Sequence, residues 1–600
     1  MSLKLGEREA AMISEHEWTL GRRCPVKILH ARAQLPRSAT GSSLSTWMRA
    51  ESGRLHALAR HLFPDAVTVS ANDRSAAENE TRVLVAAGRP VSGGRFATED
   101  VRCEVDFIVP DGGTLRIYQV VPRAVDLERH RLRLEFTWRE GKIRKEWYSH
   151  LALMALRLRV MQQLWPHHRV LPFFVAPVRD RVARLEGLHG CFAPSGDGWI
   201  TTNPAAAAEA SQLLTMILVA EHCIPLIEHV TRQASALNEW LLKPSAPVLG
   251  YGCKNCEFKV TEGESGFDRC WGPLARVSPH MFDLTYMYFI QEGGQPVANR
   301  LAREGRVSLW DIPVEKIVGE HSDRQLMQLE VTRTGVGLIY DELKNEMARV
   351  TYPLHFLDIE TVGPILPVHR GTRAGLNLFQ LSVHRRSHVG ADLVHLEWLN
   401  TERASPNRRF LSALRSMIGD HGTTLVWTAH EEKSFNTLLA ELIEEGEDDD
   451  DGDLRWLKIY LRSGRIVDQC QMCFRHYISP LMMGRTSLKV VLPAIWSEVS
   501  PVKAREPYAK FPEGTDPYAV LKAAGQIHEG CGAMTAYLEM QASDGEVRAK
   551  LIRELLEYCG VDSLVMAFCW DAWAYALEQQ DADRVDSPEN CSPRLAPALP

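Results

Sequence analysis

Two acidic residues stand at the end of an apolar run in the segment LHFLDIET, where Asp358 and Glu360 are separated by one residue. Because the side chains of a strand alternate between its faces, a strand over residues 354–360 puts both carboxylates on the same side. Carboxylate oxygens are ligands that Mg²⁺ prefers. The pair predicts a seat for a divalent ion, although Asp-x-Glu is a common pattern and does not establish a site by itself.

Further acids and a tyrosine follow in two predicted helices. Glu431 and Glu432 come directly after the buried strand LVWTA and a histidine, at the start of a helix. Tyr558 and Asp562 are four residues apart in a helix predicted over residues 551–575. Side chains at that spacing share one helix face. The site prediction depends on this order of Asp-x-Glu, a middle acid and Tyr-x-x-x-Asp.

Three of the 13 cysteines form a local cluster, with two residues between Cys253 and Cys256 and thirteen between Cys256 and Cys270. Three thiolates need a fourth ligand to complete a tetrahedral zinc site or a cubane iron–sulfur cluster, and Cys24 is the candidate. The alternative is that these are ordinary buried cysteines. A second Cys-x-x-Cys, which begins at Cys470, lacks nearby partners and predicts two buried thiols on a helix.

The composition is that of an ordinary globular protein, with 600 residues, 45% hydrophobic residues, 24% charged residues and a net charge of −7. These values exclude a collagen-like, low-complexity or wholly disordered chain, and the cysteines are too dilute for a small disulfide scaffold. The mild acidity argues against DNA binding by bulk charge, but it leaves room for a local basic groove.

The N-terminus does not have the pattern of a signal peptide. The most apolar stretch, residues 213–230, is interrupted by charged residues and a proline, so it predicts a buried or amphipathic helix rather than a membrane span. The expected location is the cytoplasm, where thiols stay reduced and cysteine clusters favour metal binding over disulfides.

The elements that must position these residues form two α/β patterns. In the first, strands over residues 101–109 and 114–121 flank a Pro-Asp-Gly-Gly turn and predict a hairpin, and a helix over 146–164 follows. In the second, the periodicity predicts strands and helices in alternation: strands over 354–360, 378–384, 392–399 and 423–428, and helices over 406–418 and 433–445. The acidic run over 445–453 predicts a solvated loop, and residues 586–600 predict a loose tail.

The cysteine pattern, an early Cys-Pro after Gly-Arg-Arg and a late Cys-x-x-Cys…Cys-Trp, resembles the iron–sulfur staple of RecB-like nucleases. In that family one cysteine before the nuclease core and three after it hold a [4Fe–4S] cluster. The resemblance implies that Cys24, Cys253, Cys256 and Cys270 are the ligands of a structural cluster, with zinc as the chemical alternative.

The hairpin between these cysteines resembles the centre of a PD-(D/E)XK nuclease, in which an Asp and a Glu-x-Lys hold Mg²⁺ and support the attacking water. Asp106 matches the first acid, and His56 matches an upstream histidine. The second strand should read Glu-Val-Lys, but it has Gln119 and Val121 in place of the acid and the lysine. The resemblance therefore implies a degenerate, inactive module that binds nucleic acid or acts as a scaffold.

The second constellation resembles the DnaQ-like exonucleases of RNase H fold, and Tyr558 is typical of their Tyr-type subgroup. The family's metal ligands fall on four acids of this chain: Asp358, Glu360, Glu432 and Asp562. They would hold two Mg²⁺ or Mn²⁺ ions about 3.5–4 Å apart, and Tyr558 would orient the attacking water. The middle motif departs from the family's Tyr-Asn-x-x-Phe-Glu, so Glu431 competes with Glu432 for the third position.

The same resemblance reaches two more polar residues. Asp468 follows a short strand-like run and is expected beside the site. Lys489 lies in a Ser-Leu-Lys segment that matches a Ser-Ile-Lys segment of the family, and it is either a phosphate contact or an ordinary surface lysine.

Three long segments extend the likeness to a prokaryotic family that fuses a RecB-like iron–sulfur module to a DnaQ-like exonuclease: FLDIETVGPILPVHRGTRAGLNLFQLSVH, RIVDQCQMCFRHYISPLMMGRTSLKVVLPAI and LLEYCGVDSLVMAFCWDAW. The implied fold class is α/β, with a degenerate PD-(D/E)XK-like domain and an RNase H-like mixed-sheet domain. The implied domains are the RecB-like module over 18–275, a helical connector with a helix-hairpin-helix-like turn over 276–348, the exonuclease over 349–580 and a flexible tail over 581–600.

The resemblance implies a metal-dependent 3′–5′ exonuclease that acts on DNA, in repair or in defence against phage. Two alternatives stay open: a non-catalytic nucleic-acid-binding or assembly subunit, and an exonuclease directed at RNA. The expected partners are nucleic acid, DNA in preference to RNA, and a protein such as a helicase or a defence-system subunit. No membrane partner is expected.

Overall fold

The computed structural model describes residues 12–586 except 39–42, 72, 132, 197, 445, 447–451 and 513. The chain divides into two compact units, and each combines α-helices with a mixed β-sheet. The first unit consists of Met1–Val248, Cys256–Cys270 and Pro364–Gly375. The second consists of Leu249–Asn255, Trp271–Gly363 and Leu376–Pro600. The predicted α/β class is confirmed at this level.

The first unit is built on a seven-stranded sheet. Its strands are β1 (Ile13–Ser14), β2 (Val67–Thr68), β3 (Val91–Ala97), β4 (Val101–Asp111), β5 (Thr114–Val120), β6 (Arg169–Pro177) and β7 (Leu214–Leu218). They follow the order β2-β3-β4-β5-β6-β7, and β1 pairs in parallel with the start of β4. β4 and β5 form the predicted antiparallel hairpin, whose turn needs Gly112 because its φ is +58°.

Ten helices surround this sheet among the described residues: Glu15–Gly21, Val26–Arg32, Ser43–Ala59, Arg74–Ala86, Leu127–Arg131, Lys145–Leu164, Ala207–Leu213, Ala220–Cys223, Ile227–Leu242 and Gly266–Trp271. A small hairpin, Phe192–Ser195 with Gly198–Thr201, lies outside the sheet. The helix predicted over residues 146–164 is confirmed, and it packs into the main core of the unit through Trp147, Leu151 and Met154.

The helix predicted over residues 213–230 is wrong in its first part. Strand β7 occupies Leu214–Leu218 and pairs antiparallel with β6 at the edge of the sheet. The apolar run LLTMIL satisfied a helical pattern and a strand pattern equally well, and pairing with β6 decides between them. Helices follow only from Ala220 onward. None of the described helices is both long and apolar enough to cross a membrane.

The second unit contains a five-stranded sheet. Its strands are β8 (Leu354–Val362), β9 (Asn377–Arg386), β10 (Leu393–Leu399), β11 (Thr423–Val426) and β12 (Ile466–Asp468). The order is β10-β9-β8-β11-β12, with antiparallel pairing from β10 to β8 and parallel pairing from β8 to β12. The predicted strands are confirmed, and β8 is the central one.

Twelve helices belong to this unit among the described residues: Val297–Arg303, Ser322–Thr334, Glu342–Met347, Asn407–Ile418, His430–Glu444, Asp453–Arg462, Gln469–His476, Leu488–Glu498, Ser500–Lys503, Pro517–Ala523, Gly530–Ala542 and Gly545–Asp586. Two small strand pairs complete it: Gln291–Glu292 with Gln295–Pro296, and Leu338–Ile339 with Tyr477–Ile478.

The long helix Gly545–Asp586 covers one face of the sheet. Nε2 of Gln380 donates to the carbonyl of Leu555 at 2.7 Å, and the hydroxyls of Ser382 and Ser563 lie 2.7 Å apart. The contact is close at Gly560, where a Cβ would lie 3.2 Å from the ring of His395. This helix contains the predicted segment 551–575 and continues into the first residues of the predicted tail.

The predicted helical connector, residues 276–348, belongs to the second unit. It contains short 3-10 turns as well as α-helices. In the predicted helix-hairpin-helix-like turn, helix Val297–Arg303 leads to the 3-10 turn Leu309–Asp311, which stands where a second helix was expected. Most of the predicted acidic loop over 445–453, and the tail beyond residue 586, lie outside the described residues.

Candidate metal centre

Strand β8 and the long helix bring three carboxylates together. Asp358 and Glu360 point from the same side of β8, as their spacing predicts, and Asp562 approaches from the helix. One oxygen from each of these three side chains lies within 4.8 Å of the other two. Glu360 and Asp562 are buried and Asp358 is half-buried. This group, here called the acidic cluster, has the ligand chemistry of a Mg²⁺ or Mn²⁺ site.

Of the two candidate middle acids, Glu431 is the one whose charge acts on the acidic cluster. Glu431 is buried, and its charge raises the pKa of both Asp358 and Glu360. Glu432 is half-exposed, and its charge acts on Asp468 instead. Successive residues of a helix point about 100° apart, so only one of the two can face the acidic cluster. Of the two alternatives that the sequence leaves open, burial and charge favour Glu431.

The carboxylate of Glu431 is only partly compensated, because backbone hydrogen bonds favour its charged form but burial opposes them. Burial raises its pKa to about 7, and the charges of Asp468 and Asp562 act in the same direction. Within the part of the chain that the structure describes, its buried Oε2 atom has no hydrogen-bond partner. A buried carboxylate oxygen of this kind is costly unless a cation or proton compensates it.

The pKa values of the acidic cluster show the same lack of compensation. Burial and the charge of Asp562 hold the pKa of Asp358 and of Glu360 well above their usual range. Burial also raises the pKa of Asp562, but hydrogen bonding and the charge of Lys489 oppose that rise. Clustered carboxylates of this kind bind protons or cations readily.

Two neighbours on the long helix contact the acidic cluster. Sγ of Cys559 donates to Oδ2 of Asp358 at 3.3 Å. Tyr558 lies one helical turn before Asp562 on the same face, as its spacing predicts, and its proximity lowers the pKa of that carboxyl. Burial and the nearby carboxylates raise the pKa of Tyr558, so its hydroxyl stays protonated and can donate.

Lys489 brings a positive charge to this site. Its Nζ donates to the hydroxyl oxygen of Tyr558 at 3.1 Å and to the carbonyl of His528 at 2.7 Å. The ammonium also lies 5.1 Å from the ring centre of Tyr558 and 5.6 Å from that of Tyr518. The structure thus places Lys489, which is exposed, beside the acidic cluster, and its role as a phosphate contact stays a prediction.

Asp468 has a local structural task at the edge of the site. Its Oδ1 accepts from the backbone N–H of Gln471 at 2.9 Å and caps the helix that begins at Gln469. Its charge raises the pKa of Glu431, so it is close to the site. The charge of Asp468 therefore affects Glu431 from nearby, while its Oδ1 atom caps the helix.

Tyr518 contacts the acidic cluster and was not predicted. It lies on helix Pro517–Ala523, is buried, and donates a hydrogen bond from its hydroxyl to Oδ1 of Asp562. No spacing links the segment TDPYAV to the other site residues. The only sequence signal was the Asp-Pro pair that starts a helix, and it predicts a helix rather than a role.

At the predicted nuclease centre of the first unit, the hairpin has one acid, Asp106, and its charge is already compensated. Oδ2 of Asp106 accepts from the backbone N–H of Val120 at 2.7 Å, and Oδ1 lies 3.4 Å from Nε2 of His56. Although burial acts to raise its pKa, the hydrogen bond and charge of His56 lower it. Gln119 is buried with an unpartnered Oε1 among the described residues, and Val121 belongs to the core. This arrangement does not fit a Mg²⁺ site.

The segment that follows Cys24 packs against the late cysteine segment within the first unit. Lys27, three residues after Cys24, forms an ion pair with Glu257. Nε2 of His30 lies 3.2 Å from Sγ of Cys270. The early and late segments are therefore adjacent, which a staple of the two would require, and His30 joins the groups that surround Cys270.

The other two predicted cluster ligands fall in different units. Cys256 belongs to the first unit, whereas Cys253 ends a 3-10 turn of the second. The iron–sulfur cluster and its zinc alternative stay predictions. Cys470 and Cys473 lie on one helix, as expected, with Cys473 buried and Cys470 half-buried.

A family model described as a domain of unknown function (DUF2779) matches residues 355–487. The matched segment contains Asp358, Glu360, Glu431 and Asp468, and it ends before the long helix that supplies Asp562. No curated protein matches the chain, and no solved structure does.

Proposed function

We propose that this protein is a metal-dependent 3′–5′ exonuclease that hydrolyses phosphodiester bonds of DNA at the acidic cluster. The observation that carries the proposal is the convergence of Asp358, Glu360 and Asp562 within 4.8 Å, with the unpartnered carboxylate oxygen of Glu431 nearby. In this proposal the first unit is a RecB-like module without a working nuclease centre. This first unit binds nucleic acid or acts as a scaffold.

The donor set fits divalent ions. Four carboxylates are gathered with raised pKa values, and one buried oxygen lacks a partner, so the site has more negative charge than its surroundings compensate. The residues that would hold the ions are Asp358, Glu360, Glu431 and Asp562. Bound Mg²⁺ or Mn²⁺ would supply the charge that lowers the pKa of the nucleophilic water and stabilises the leaving oxygen.

The chain's own groups would position the reactants. Tyr558 accepts a hydrogen bond from Lys489 and lies beside Asp562, and its protonated hydroxyl is suited to orient the attacking water. Lys489 would contact a phosphate oxygen through its ammonium, since it lies beside the acidic cluster and carries a point charge. Tyr518 holds the carboxylate of Asp562 in place.

The sheet of the second unit supports the assignment to an RNase H-like fold. That fold calls for a mixed sheet, and strands β8 to β12 combine an antiparallel half with a parallel half. The first acid pair lies on the central strand, between the two halves. The helix that supplies Tyr558 and Asp562 packs against the same strand, which explains why its sequence distance from β8 does not prevent a common site.

Cleavage of end-labelled nucleic acid tests the proposal. Single-stranded DNA, duplex DNA and RNA, each labelled at the 5′ or the 3′ end, are incubated with Mg²⁺, Mn²⁺ or a chelator. We expect metal-dependent release of nucleotides from the 3′ end of DNA by the wild type and none by Asp358→Asn. Cleavage that survives this substitution would show that the active site is elsewhere. Faster cleavage of RNA than of DNA would show that RNA is the preferred substrate.

The predicted cofactor of the first module is tested separately. We propose that Cys24, Cys253, Cys256 and Cys270 hold a structural [4Fe–4S] cluster. Protein purified without oxygen should be brown, should contain iron and sulfide, and should lose both in Cys270→Ser. Stoichiometric zinc without iron would show that these cysteines bind zinc rather than an iron–sulfur cluster.

A further inference from the structure

Three exposed aromatic rings lie close together in one segment of the second unit. Tyr286, Tyr288 and Phe289 leave 40%, 50% and 55% of their surface exposed. Met287, between them, is fully buried and anchors the 3-10 turn Met287–Phe289. The three rings therefore face outward from a fixed turn.

These rings form a continuous group with two others. The ring of Tyr286 stacks on His321 with centroids 3.9 Å apart and planes 13° from parallel, and it meets Phe474 edge-on at 5.6 Å. Phe289 packs against His321 at 4.7 Å and against Tyr288 at 5.6 Å. We call these five residues the aromatic platform: Tyr286, Tyr288, Phe289, His321 and Phe474.

The backbone of the platform is strained in the conformation that presents its rings. Tyr286 has φ +51° and ψ +25°, in the left-handed region, which is unfavourable for a bulky side chain. The ring gains little burial in return, since 40% of its surface stays exposed. Strain of this kind persists where the surrounding structure enforces it, and it is concentrated at ligand-binding sites.

A buried cation lies against the platform. Arg324 is 2% exposed, and its guanidinium lies 5.4 Å from the ring centre of Phe474. Its Nη1 donates to the carbonyls of Phe474 and Tyr477, while Nε and Nη2 have no hydrogen-bond partner among the described residues. No ion pair within the described part of the chain neutralises it. Its guanidinium therefore places a positive charge against the ring of Phe474.

The platform is connected to the candidate metal centre by one helix. Phe474 lies on helix Gln469–His476, which Asp468 caps, and the N–H of Cys470 on this helix donates at 3.2 Å to the carbonyl of Trp427, four residues before Glu431. At 1.5 Å per residue, Phe474 is about 9 Å along the helix axis from Asp468. A stacked strand rises about 3.4 Å per nucleotide, so two or three nucleotides span this distance.

We propose that the aromatic platform binds the bases of single-stranded nucleic acid whose end lies at the acidic cluster. Aromatic faces stack on any base, and the guanidinium of Arg324 beside Phe474 adds a positive charge to the stacking surface. The bases of an intact duplex are already stacked on each other and cannot use these faces. The inference deepens the proposed function, and it rests on that function for the position of the strand's end.

Fluorescence anisotropy with the full chain tests the platform. The probes are a labelled oligothymidylate, an abasic strand of the same length and a blunt duplex, in Ca²⁺. We expect Tyr286→Leu and Phe289→Leu to weaken oligothymidylate binding by about 5- to 150-fold each, since leucine keeps apolar bulk but cannot stack. Tyr286→Phe, which keeps the ring, and Trp138→Leu, an equally exposed aromatic of the first unit, should bind like the wild type.

The abasic strand should bind more weakly than oligothymidylate to the wild type and equally to the leucine variants. Equal binding of oligothymidylate by wild type and leucine variants would overturn the proposal, and so would equal binding of abasic and normal strands. Hydrolysis of thymidine 5′-phosphate p-nitrophenyl ester, which is too small to reach the platform, reports on the acidic cluster alone. We expect Asp358→Asn to lose this activity and Phe289→Leu to keep it, so the assay separates catalysis at the acidic cluster from base binding at the platform. If the wild type lacks the activity, that result counts against the proposed exonuclease and not against the platform.

Discussion

Each sheet has an aspartate in the middle of a strand, and the protein surrounds the two side chains in opposite ways. Asp106 of β4 faces His56 at 3.4 Å, and that contact lowers its pKa although burial opposes the change. Asp358 of β8 faces other carboxylates, and burial together with the charges of Asp562 and Glu360 holds its pKa well above the usual range.

Groups of the protein itself compensate the negative charge of Asp106. The charge of Asp358 lacks such compensation, so a bound cation would stabilise it. The carboxylate of Asp106 receives a hydrogen bond from the backbone and sits beside cationic side chains of the protein, His56 and Arg157. The carboxylates around Asp358 gain far less compensation, from Lys489 and from tyrosine hydroxyls. Retention of an acid on a strand is thus a weak sign of a metal site, whereas an uncompensated group of acids is a strong one.

The largest expected effect comes from removing the charge of Asp358, and removing that of Asp106 is the matched control. Asp358→Asn should lower the rate of metal-dependent cleavage by at least about 100-fold, because the acidic cluster loses a ligand. Asp106→Asn should change it by less than about twofold. Initial rates on end-labelled DNA measure both. A comparable loss in Asp106→Asn would show that the first unit contributes to catalysis and would break the comparison.

The next effect distinguishes two neighbours on one helix. Glu431→Gln should reduce cleavage about 10- to 100-fold, since Glu431 faces the acidic cluster, and Glu432→Gln should have little effect. The two variants have the same chemistry and are matched controls for each other. If Glu432→Gln abolished cleavage and Glu431→Gln did not, the middle acid would be Glu432.

A smaller effect is expected from the hydrogen bond that Tyr518 donates to Asp562. Tyr518→Phe should raise the Mn²⁺ concentration for half-maximal activity about tenfold, because outer contacts of this kind orient metal ligands. Tyr508→Phe is the control, since Tyr508 donates similarly to Asp571 on the same helix. If both variants shift the metal requirement equally, the effect belongs to the helix rather than to the site.

The smallest effect concerns the ion pair of the first unit. The pKa of His56 is raised and that of Asp106 is lowered, so the pair stabilises the fold fully between the unfolded pKa values of 3.8 and 6.5. That stability is lost as pH falls through the lowered pKa of Asp106 or rises through the raised pKa of His56. His56→Gln should therefore reduce the free energy of unfolding most near pH 5, by less than about 1 kcal/mol because the pair is partly solvated. Urea titrations at pH 5 and pH 9 measure it, and a larger loss at pH 9 would contradict this sign.

Sequence patterns predicted the parts of the structure that local chemistry determines. The hairpin of β4 and β5 followed from alternation and a Gly-Gly turn, and the strands around Asp358 followed from short apolar runs with breaks. Strand β7 was mistaken for a helix because a short apolar run fits both periods, and only its neighbour β6 decides.

The candidate site was predictable where spacing sets the geometry. Asp358 and Glu360 share a strand face, and Tyr558 and Asp562 share a helix face, whatever the rest of the fold does. The choice between Glu431 and Glu432 depends on the rotation of a helix about its axis, which the sequence does not fix. Tyr518 reaches Asp562 from a distant segment, and no local pattern encodes such a contact.

Metal binding by the full chain tests the central claim most directly. Isothermal titration with Mn²⁺ at pH 8 compares the wild type, Asp358→Asn and Asp106→Asn. We predict that the wild type and Asp106→Asn bind Mn²⁺ alike and that Asp358→Asn loses most of the affinity. Unchanged binding by Asp358→Asn, or its loss in Asp106→Asn, would contradict the assignment of the metal centre to the acidic cluster.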